Sequence, residues 1–567
     1  MGLERQGSAP DAGKPLSRRA RDGTVRAAEA EAQTSACRCA SEGRLIRPKH
    51  ILLIVILGLS AWALWPSADE RAGGGRLGDR PEARQTDKAR RPYHLRVAPG
   101  VYLPGTMPDN VGTPLDGLTH VAEKFEALFP DTYVEFVGTP GVREWLVTQL
   151  AAGQAPDIIS VNVEDVWQDV QKGWYVPLDA YLDRPSPFVK PGAAGSKQWW
   201  DVFKYQAITR GKAAPDGLSY CISYDMVETG IFYNKDIFGK LGLREPQDWP
   251  EFLAIQKRLK EAGYIPLVVP VWSISDWGVD LVFDQLYKSL RPGIDLRSDP
   301  QRAAYLEGYL DWDEICLLHQ KGFFTRRDPR WVDLWRILKE WRQYWNEDLT
   351  SADPMRLFVT HKGAMFWSGS WSVNKLTRDP DIDFGWGVFY LPPIPASFNP
   401  FCDGHTMCVI GGSATQLTVT STAFSDTGRI ETSERLKRVI AFLQFLTLPE
   451  NAEPVINEVK TFLPNIVGVE PHKELLVFDE ILRRPYTTTK WSFTFDLRFN
   501  EIFLRMFDLY LNGGIGEEEY LAWTEKNLDA ATRAIIARKK LDLAPLERRW
   551  QELAPARREM KGLPDAR

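Results

Sequence analysis

From Tyr93 onward, short apolar runs alternate with segments whose apolar positions recur every three or four residues. The first pattern predicts strands and the second amphipathic helices. "HLRVAPGVY" reads as a strand followed by a Gly/Pro loop. "LTHVAEKFEALFP" sets Val121, Phe125, Leu128 and Phe129 on one helical face and stops at Pro130. "TYVEFVG" alternates as a strand, and "GVREWLVTQLAAG" repeats Val142, Trp145, Leu146 and Leu150 at helical spacing. "APDIISVN" is an apolar strand, and "VEDVWQDVQKG" is a helix closing on Gly173. Ile231, Phe232 and Tyr233 form a further strand that turns at Asn234–Asp236. Asp248 then N-caps a helix, with Glu251 three positions on completing a capping box. Phe252, Ile255, Leu259 and Ala262 make its predicted buried stripe, and Gly263 ends it. "YIPLVVPVW" returns as a strand. Residues 301–348 read as helical and rich in tryptophan, 363–371 and 384–395 as strand-like, and 433–456 as one strong amphipathic helix. The C-terminal stretch reads as helical and charged. No repeat of fixed period appears. Strands alternating with helices predict an α/β fold with a parallel sheet covered on both faces. Ligands of such sheets sit beyond the carboxyl ends of the strands, which singles out the loops Pro99–Gly105 and Ser160–Asp165.

The long apolar run, Ile51–Trp65, is flanked by Arg44, Arg47 and Lys49 before it and by Asp69 and Glu70 after it. Its length lies between a signal-peptide core and a full span of about 20 residues. The charge asymmetry predicts a cytoplasmic N-terminus and an exported remainder. A leader of this length fits an uncleaved signal anchor or a start codon placed too far upstream. Residues 66–92 are nearly free of apolar side chains and read as a flexible tether. "GGGRLG" at 73–78 fits a dinucleotide-binding pattern by letters, but neither a strand before it nor a helix after it supports that reading.

Composition changes the picture in three places. At 567 residues the chain exceeds one ordinary domain, and an apolar share of 44% supports a sizeable core. A net charge of −5 with interspersed signs gives no electrostatic case for nucleic acid. The 21 tryptophans exceed ordinary core needs and point to a binding surface, because an indole offers a rigid apolar face and one N–H donor. The six cysteines lack C-x-x-C spacing, and the seven histidines are scattered, so neither a metal centre nor a cofactor is expected. Cys402 and Cys408 are spaced to close a small loop under oxidising conditions, or stand as buried thiols.

Several stretches together resemble the bacterial extracellular solute-binding proteins of ABC transporters, in the carbohydrate-binding group that includes maltose-binding protein. They are 155–182, 231–253 with its aromatic-Tyr-Asn-Lys-Asp element, 360–373, 384–395 and 441–456, in the family's order. The resemblance runs from about Tyr93 to Asn527. It implies a two-lobe periplasmic-binding-protein (venus-flytrap) fold behind the N-terminal membrane segment. One lobe would take 93–222 with 396–449, the other 223–395 with 450–567, and ligand would sit between them. It implies a carbohydrate ligand and ABC permease subunits as partners. The chain departs from the family in its long leader, in lacking a lipoprotein cysteine, and in an insert around 185–220.

A sugar offers flat C–H faces and a rim of hydroxyls, so its site needs aromatic planes and carboxylates or amides. Asn162, Glu164 and Asp165 lie at a strand's carboxyl end, where the family carries polar contacts; helix capping by Glu164 or Asp165 is the plain alternative. Tyr224 and Asp225 fall near a lobe crossing. Trp272 and Trp277 follow a strand where the family places an aromatic contact, and Trp371 matches a family stacking residue, with Gly369 and Ser370 leaving room beside its ring. Trp249 reads as structural, and Asp403 and His405 as lesser candidates. Three functions compete: a transport receptor, a sugar-sensing ectodomain, and a glycoside-acting enzyme. The enzyme would need two carboxylates about 5 to 9.5 Å apart, and no motif pairs any two here.

Overall fold

The computed structural model describes Lys88 and residues 90–564, apart from 108–111, 168, 207–213, 215, 298–309, 350–351, 406–410 and 479–496. The chain divides into two units, Met1–Arg84 and Gln85–Arg567, and the described residues all fall in the second. The apolar run 51–65 lies outside them, as does Cys408, one of the two cysteines spaced to close a small loop. No helix among the described residues is long and apolar enough to cross a membrane.

The strands, in chain order, are β1 (Tyr93–Ala98), β2 (Thr132–Phe136), β3 (Ile158–Ser160), β4 (Cys221–Ser223) and β5 (Asp225–Asn234). They continue with β6 (Ile265–Val268), β7 (Gly363–Gly369), β8 (Trp386–Phe389), β9 (Gly411–Gly412), β10 (Gln416–Val419) and β11 (Leu463–Pro464). Two sheets result. The first has the order β2-β1-β3-β10-β4, with β1 parallel to both β2 and β3 and β10 antiparallel to its neighbours. The second has the order β11-β5-β7-β6, with β6 parallel to β7 and with β8 and β9 also paired to β5. The fold is therefore α/β with two mixed sheets, where periodicity alone predicted parallel pairing.

The principal helices are α1 (Gly117–Leu128), α2 (Arg143–Ala151), α3 (Val163–Trp167), α4 (Trp249–Glu261), α5 (Val279–Tyr287) and α6 (Trp312–Gln320). They are followed by α7 (Pro329–Trp341), α8 (Glu434–Leu446), α9 (Pro449–Val459), α10 (Leu497–Leu511) and α11 (Glu517–Lys539). Each sheet is covered on both faces, because alternate side chains of one strand enter different cores. In β5, Ile231 and Tyr233 join one core and Phe232 the other. In β3, Ile158 and Ile159 divide in the same way.

Local sequence explains the helix ends. The Asp248 carboxylate accepts the Glu251 N–H at 2.9 Å, as an N-cap should. Glu251 reaches back one residue further than a capping box requires and accepts the Gln247 N–H at 3.0 Å. Phe252, Ile255 and Leu259 are buried, but Ala262 is exposed as the C-cap. Leu128 and Val142, expected on buried faces, are also exposed, since each lies at a helix end beyond the reach of the core. The single helix expected over 433–456 is two, α8 and α9. Pro449 occupies the first turn of α9, and Leu448 before it is extended at φ −70° and ψ 138°. The residue before a proline is pushed out of the helical region, so the chain breaks there and restarts.

The segment after β8 does not cross at 391–395. Leu391, Ile394 and Cys402 are buried in the second core, so 396–405 stays with that lobe. Crossing occurs at Ser223–Asp225, between β9 and β10, and again over 459–478. There α9 and Ile466 pack in the core of the first sheet, whereas Leu463, Leu475 and Phe478 pack with Phe232 on the opposite face of the second sheet. The insert around 185–220 contributes Trp199 and Trp200 to the first core, with Trp199 Nε1 donating to Thr447 Oγ1 at 2.9 Å.

Candidate functional site

Because β6 and β7 are adjacent and parallel, their carboxyl ends lie side by side. Each end runs into a short helical turn that carries tryptophan. After β6, Trp272 stands in the turn Val271–Ser273, and Trp277 in the following π-turn Ile274–Gly278. After β7, Trp371 stands in the 3-10 turn Ser370–Ser372. The three indoles meet. Trp272 and Trp277 are edge to face with centroids 4.8 Å apart, and Trp277 and Trp371 are tilted with centroids 5.7 Å apart. Exposure falls from 50% at Trp272 to 8% at Trp277, with Trp371 half-buried between them. Trp367, wholly in the core, supports Trp277 from below at 5.9 Å.

Gly369 makes the Trp371 pose possible. A Cβ built on Gly369 would stand 2.2 Å from the Trp371 ring, closer than any side chain permits. The indole therefore folds back over the bare end of β7. Trp249 is buried and packs edge to face on Trp341 at 5.0 Å, a structural position.

In the first sheet, β1 and β3 are likewise parallel neighbours, and the loops after them touch. A Cβ on Gly100, whose φ is +64°, would lie 3.0 Å from the Ser160 side chain. Asn162 is exposed, and its carbonyl accepts the Asp165 N–H at the start of α3. Asp165 lies 3.5 Å from Arg143, which also pairs with the buried Asp169 at 2.8 Å; Lys172 completes this ion group. Glu164 lies in α3, with its side chain outside the described part.

Tyr224 and Asp225 stand at the crossing itself, and both are buried. Asp225 accepts the Tyr102 hydroxyl at 2.5 Å and the Thr415 N–H at 2.7 Å. One carboxylate thus ties the loop after β1, the start of β5 and the approach to β10. Asn465 adds a second tie, donating from its side chain to the Ser223 carbonyl at 2.9 Å and from its backbone to the Tyr224 carbonyl at 3.4 Å. Burial pushes the Asp225 carboxyl above its ordinary range, against the hydrogen bonds from Tyr102 and Thr415 that favour the ionised form. Burial, then the Asp225 charge, pushes the Tyr102 hydroxyl well up. Tyr102 lies within the loop Pro99–Gly105 singled out from the sequence, but nothing local tied it to a residue so far along the chain.

Asp403 pairs with Lys288 at 2.6 Å and accepts the His405 N–H at 3.0 Å. Burial raises its carboxyl, but Lys288 and His405 outweigh that and hold it below the ordinary range. This exposed ion group rests on the turn after α5, not on the tryptophans.

Two sheets with separate cores, tied by crossings and bearing tryptophans at the strand ends, define a mixed α/β protein of two sheets. Residues 112–453, more than half of the chain, match the family model of the bacterial extracellular solute-binding protein, and the chain belongs to that family. It is 21% identical over 276 residues to the multiple sugar-binding protein of Streptococcus mutans, covering 48% of this chain and 59% of that one. It is 20% identical over 280 residues to the maltotriose-binding protein of Pyrococcus abyssi, covering 48% of this chain and 50% of that one. The chain thus spans between half and three-fifths of the length of these two relatives. Among solved structures, a chitin oligosaccharide binding protein superimposes with a TM-score of 0.52 at 18% identity, covering 78% of this chain and 100% of that one. The bacterial solute receptor AcbH gives 0.51 at 13% identity, covering 78% and 97%. At these identities the likeness is one of fold.

Proposed function

We propose that this protein is an extracytoplasmic receptor that captures a carbohydrate between its two lobes and hands it to the permease of an ABC transporter. The observation that carries the reading is the half-exposed Trp272 at the head of the Trp272–Trp277–Trp371 group. An exposed indole beyond the carboxyl ends of two parallel strands stands where ligands of open α/β sheets bind. Family membership supports a binding role over a catalytic one. The sugar-binding relatives support a carbohydrate, and AcbH, described as preferring b-D-galactopyranose, extends that support to a monosaccharide. On this reading Trp272 and Trp371 stack on sugar, with Trp277 beside them. Asn162, Glu164 and Asp165 supply polar contacts from the facing lobe, Tyr224 and Asp225 serve the crossing, and Asp403 lies at the periphery. Residues 51–65, basic before and acidic after, would anchor the chain with this domain outside the cytoplasm.

A melting screen with maltotriose, chitotriose and galactose tests the reading. A ligand bound only by the native state stabilises it by about 2.7 kcal/mol at a hundredfold excess over Kd. A rise in Tm with one sugar, saturating with concentration, is expected. No rise with any sugar, alongside a rise with amino acids or peptides, would replace carbohydrate by another solute.

A further inference from the structure

An α-helix turns about 100° per residue, so residues five apart point to different sides of it. Trp272 and Trp277 are five apart, yet their rings touch at 4.8 Å and 88°. The π-turn between them resolves this. The Val279 N–H is shared between the carbonyl of Asp276 and that of Ile274, five residues back, and the bond to Ile274 closes a turn that holds one residue more than an α-turn. The extra residue brings position 277 round beneath position 272 and leaves position 276 on its other flank. The exposures follow that order: Trp272 and Asp276 face solvent, and Trp277 is buried against Trp367 and Trp371. Turns of this kind occur frequently at functional sites.

We propose that this π-turn builds a composite recognition element. Trp272 offers its free indole face to a pyranose ring, and Asp276 beside it accepts hydroxyl hydrogen bonds from the same ring. Trp277 is a positioning residue that holds Trp272 in place. The pairing of one aromatic plane with one carboxylate selects a sugar whose apolar C–H face borders free hydroxyls. The inference rests on the carbohydrate-receptor reading for its ligand, but its geometry stands without one.

Two measurements test it. Edge-to-face indoles at this distance couple, giving a paired band in near-ultraviolet circular dichroism. Trp272→Phe and Trp277→Phe should each remove the same band, and the double variant should remove no more. Separate, additive losses would overturn the geometry. Calorimetric titration with maltotriose and chitotriose supplies the second arm. Asp276→Asn should weaken binding at least tenfold while leaving the band intact. Trp277→Phe should weaken binding in the wild-type background and add nothing in Trp272→Phe, because it acts through Trp272. Undiminished affinity in Asp276→Asn, or an additive loss at Trp277, would overturn the assigned roles. Binding of none of maltotriose, chitotriose and galactose by the wild-type chain would sink the carbohydrate reading and the role of Asp276 with it, while the coupled band still decides the role of Trp277.

Discussion

At the scale of single residues, the tryptophans separate into two kinds that composition cannot distinguish. Trp371 is half-buried over Gly369, whereas Trp367, four positions earlier, is enclosed by the core. Trp371→Ala should leave a folded protein that binds sugar roughly 30-fold more weakly, about 2 kcal/mol, as for a buried aromatic anchor. Trp371→Phe should recover part of that. Trp367→Ala should cost about 3–5 kcal/mol of stability. Titration and melting of both variants check the contrast; unchanged affinity in a well-folded Trp371→Ala protein would remove that residue from the site. Asp225 makes a pH prediction. Its carboxyl is held above the ordinary range by burial, so the native state binds its proton more tightly than the unfolded chain. Its contribution to stability is therefore full below the ordinary carboxylate value of about 4 and is lost as pH rises through the raised value. Relative to Asp225→Asn, the wild-type protein should lose stability across that window in denaturant titrations at stepped pH. A wild-type protein that gains stability relative to Asp225→Asn as pH rises would reverse the sign. Asp225→Ala should destabilise at every pH, at roughly 1–3 kcal/mol for each of the two buried donors it leaves unpaired.

At the scale of elements, the C-terminal helices form part of the second core. Trp335 of α7 packs against Phe503 and Phe507 of α10 and Tyr520 of α11, with centroids 5.2 to 5.8 Å away. His319 of α6 meets Asp529 of α11 at 2.6 Å. A chain ending at residue 478 should therefore lose cooperative unfolding and aggregate, because it bares the Trp335 face. A soluble truncated protein with an unchanged melting profile would make the layer dispensable. Elements were largely legible in the sequence. Strand and helix types followed from periodicity, and the Asp248 cap from its position before an apolar stripe. The failures have local causes: Pro449 divides a long apolar pattern, and the π-turn at Ile274–Gly278 leaves no periodic trace over so few residues.

At the scale of the whole molecule, the crossings at 223–225, 412–416 and 459–478 are where one lobe would turn on the other. Ligand should draw the lobes together by hinge bending, reducing the radius of gyration in small-angle scattering. An identical profile at saturating ligand would count against a closing receptor. Asp225 and Asn465 stitch these strands together, so Asn465→Ala should loosen the hinge and broaden the unliganded scattering distribution.

By itself the sequence determined the alternation of strands and helices, the capping of α4, the two-lobe expectation from the ordered family stretches, and the set of tryptophans worth testing. These are properties of short windows, in which period, cap and composition are read directly. Tertiary structure decided the rest. It placed Tyr102 against Asp225, set 396–405 in the second core and α9 in the first, and sorted Trp272, Trp277 and Trp371 by exposure. Burial and pairing of this kind depend on which distant segments meet, and a local pattern carries no record of its partners. The same indole is core or binding face according to what the rest of the chain lays over it.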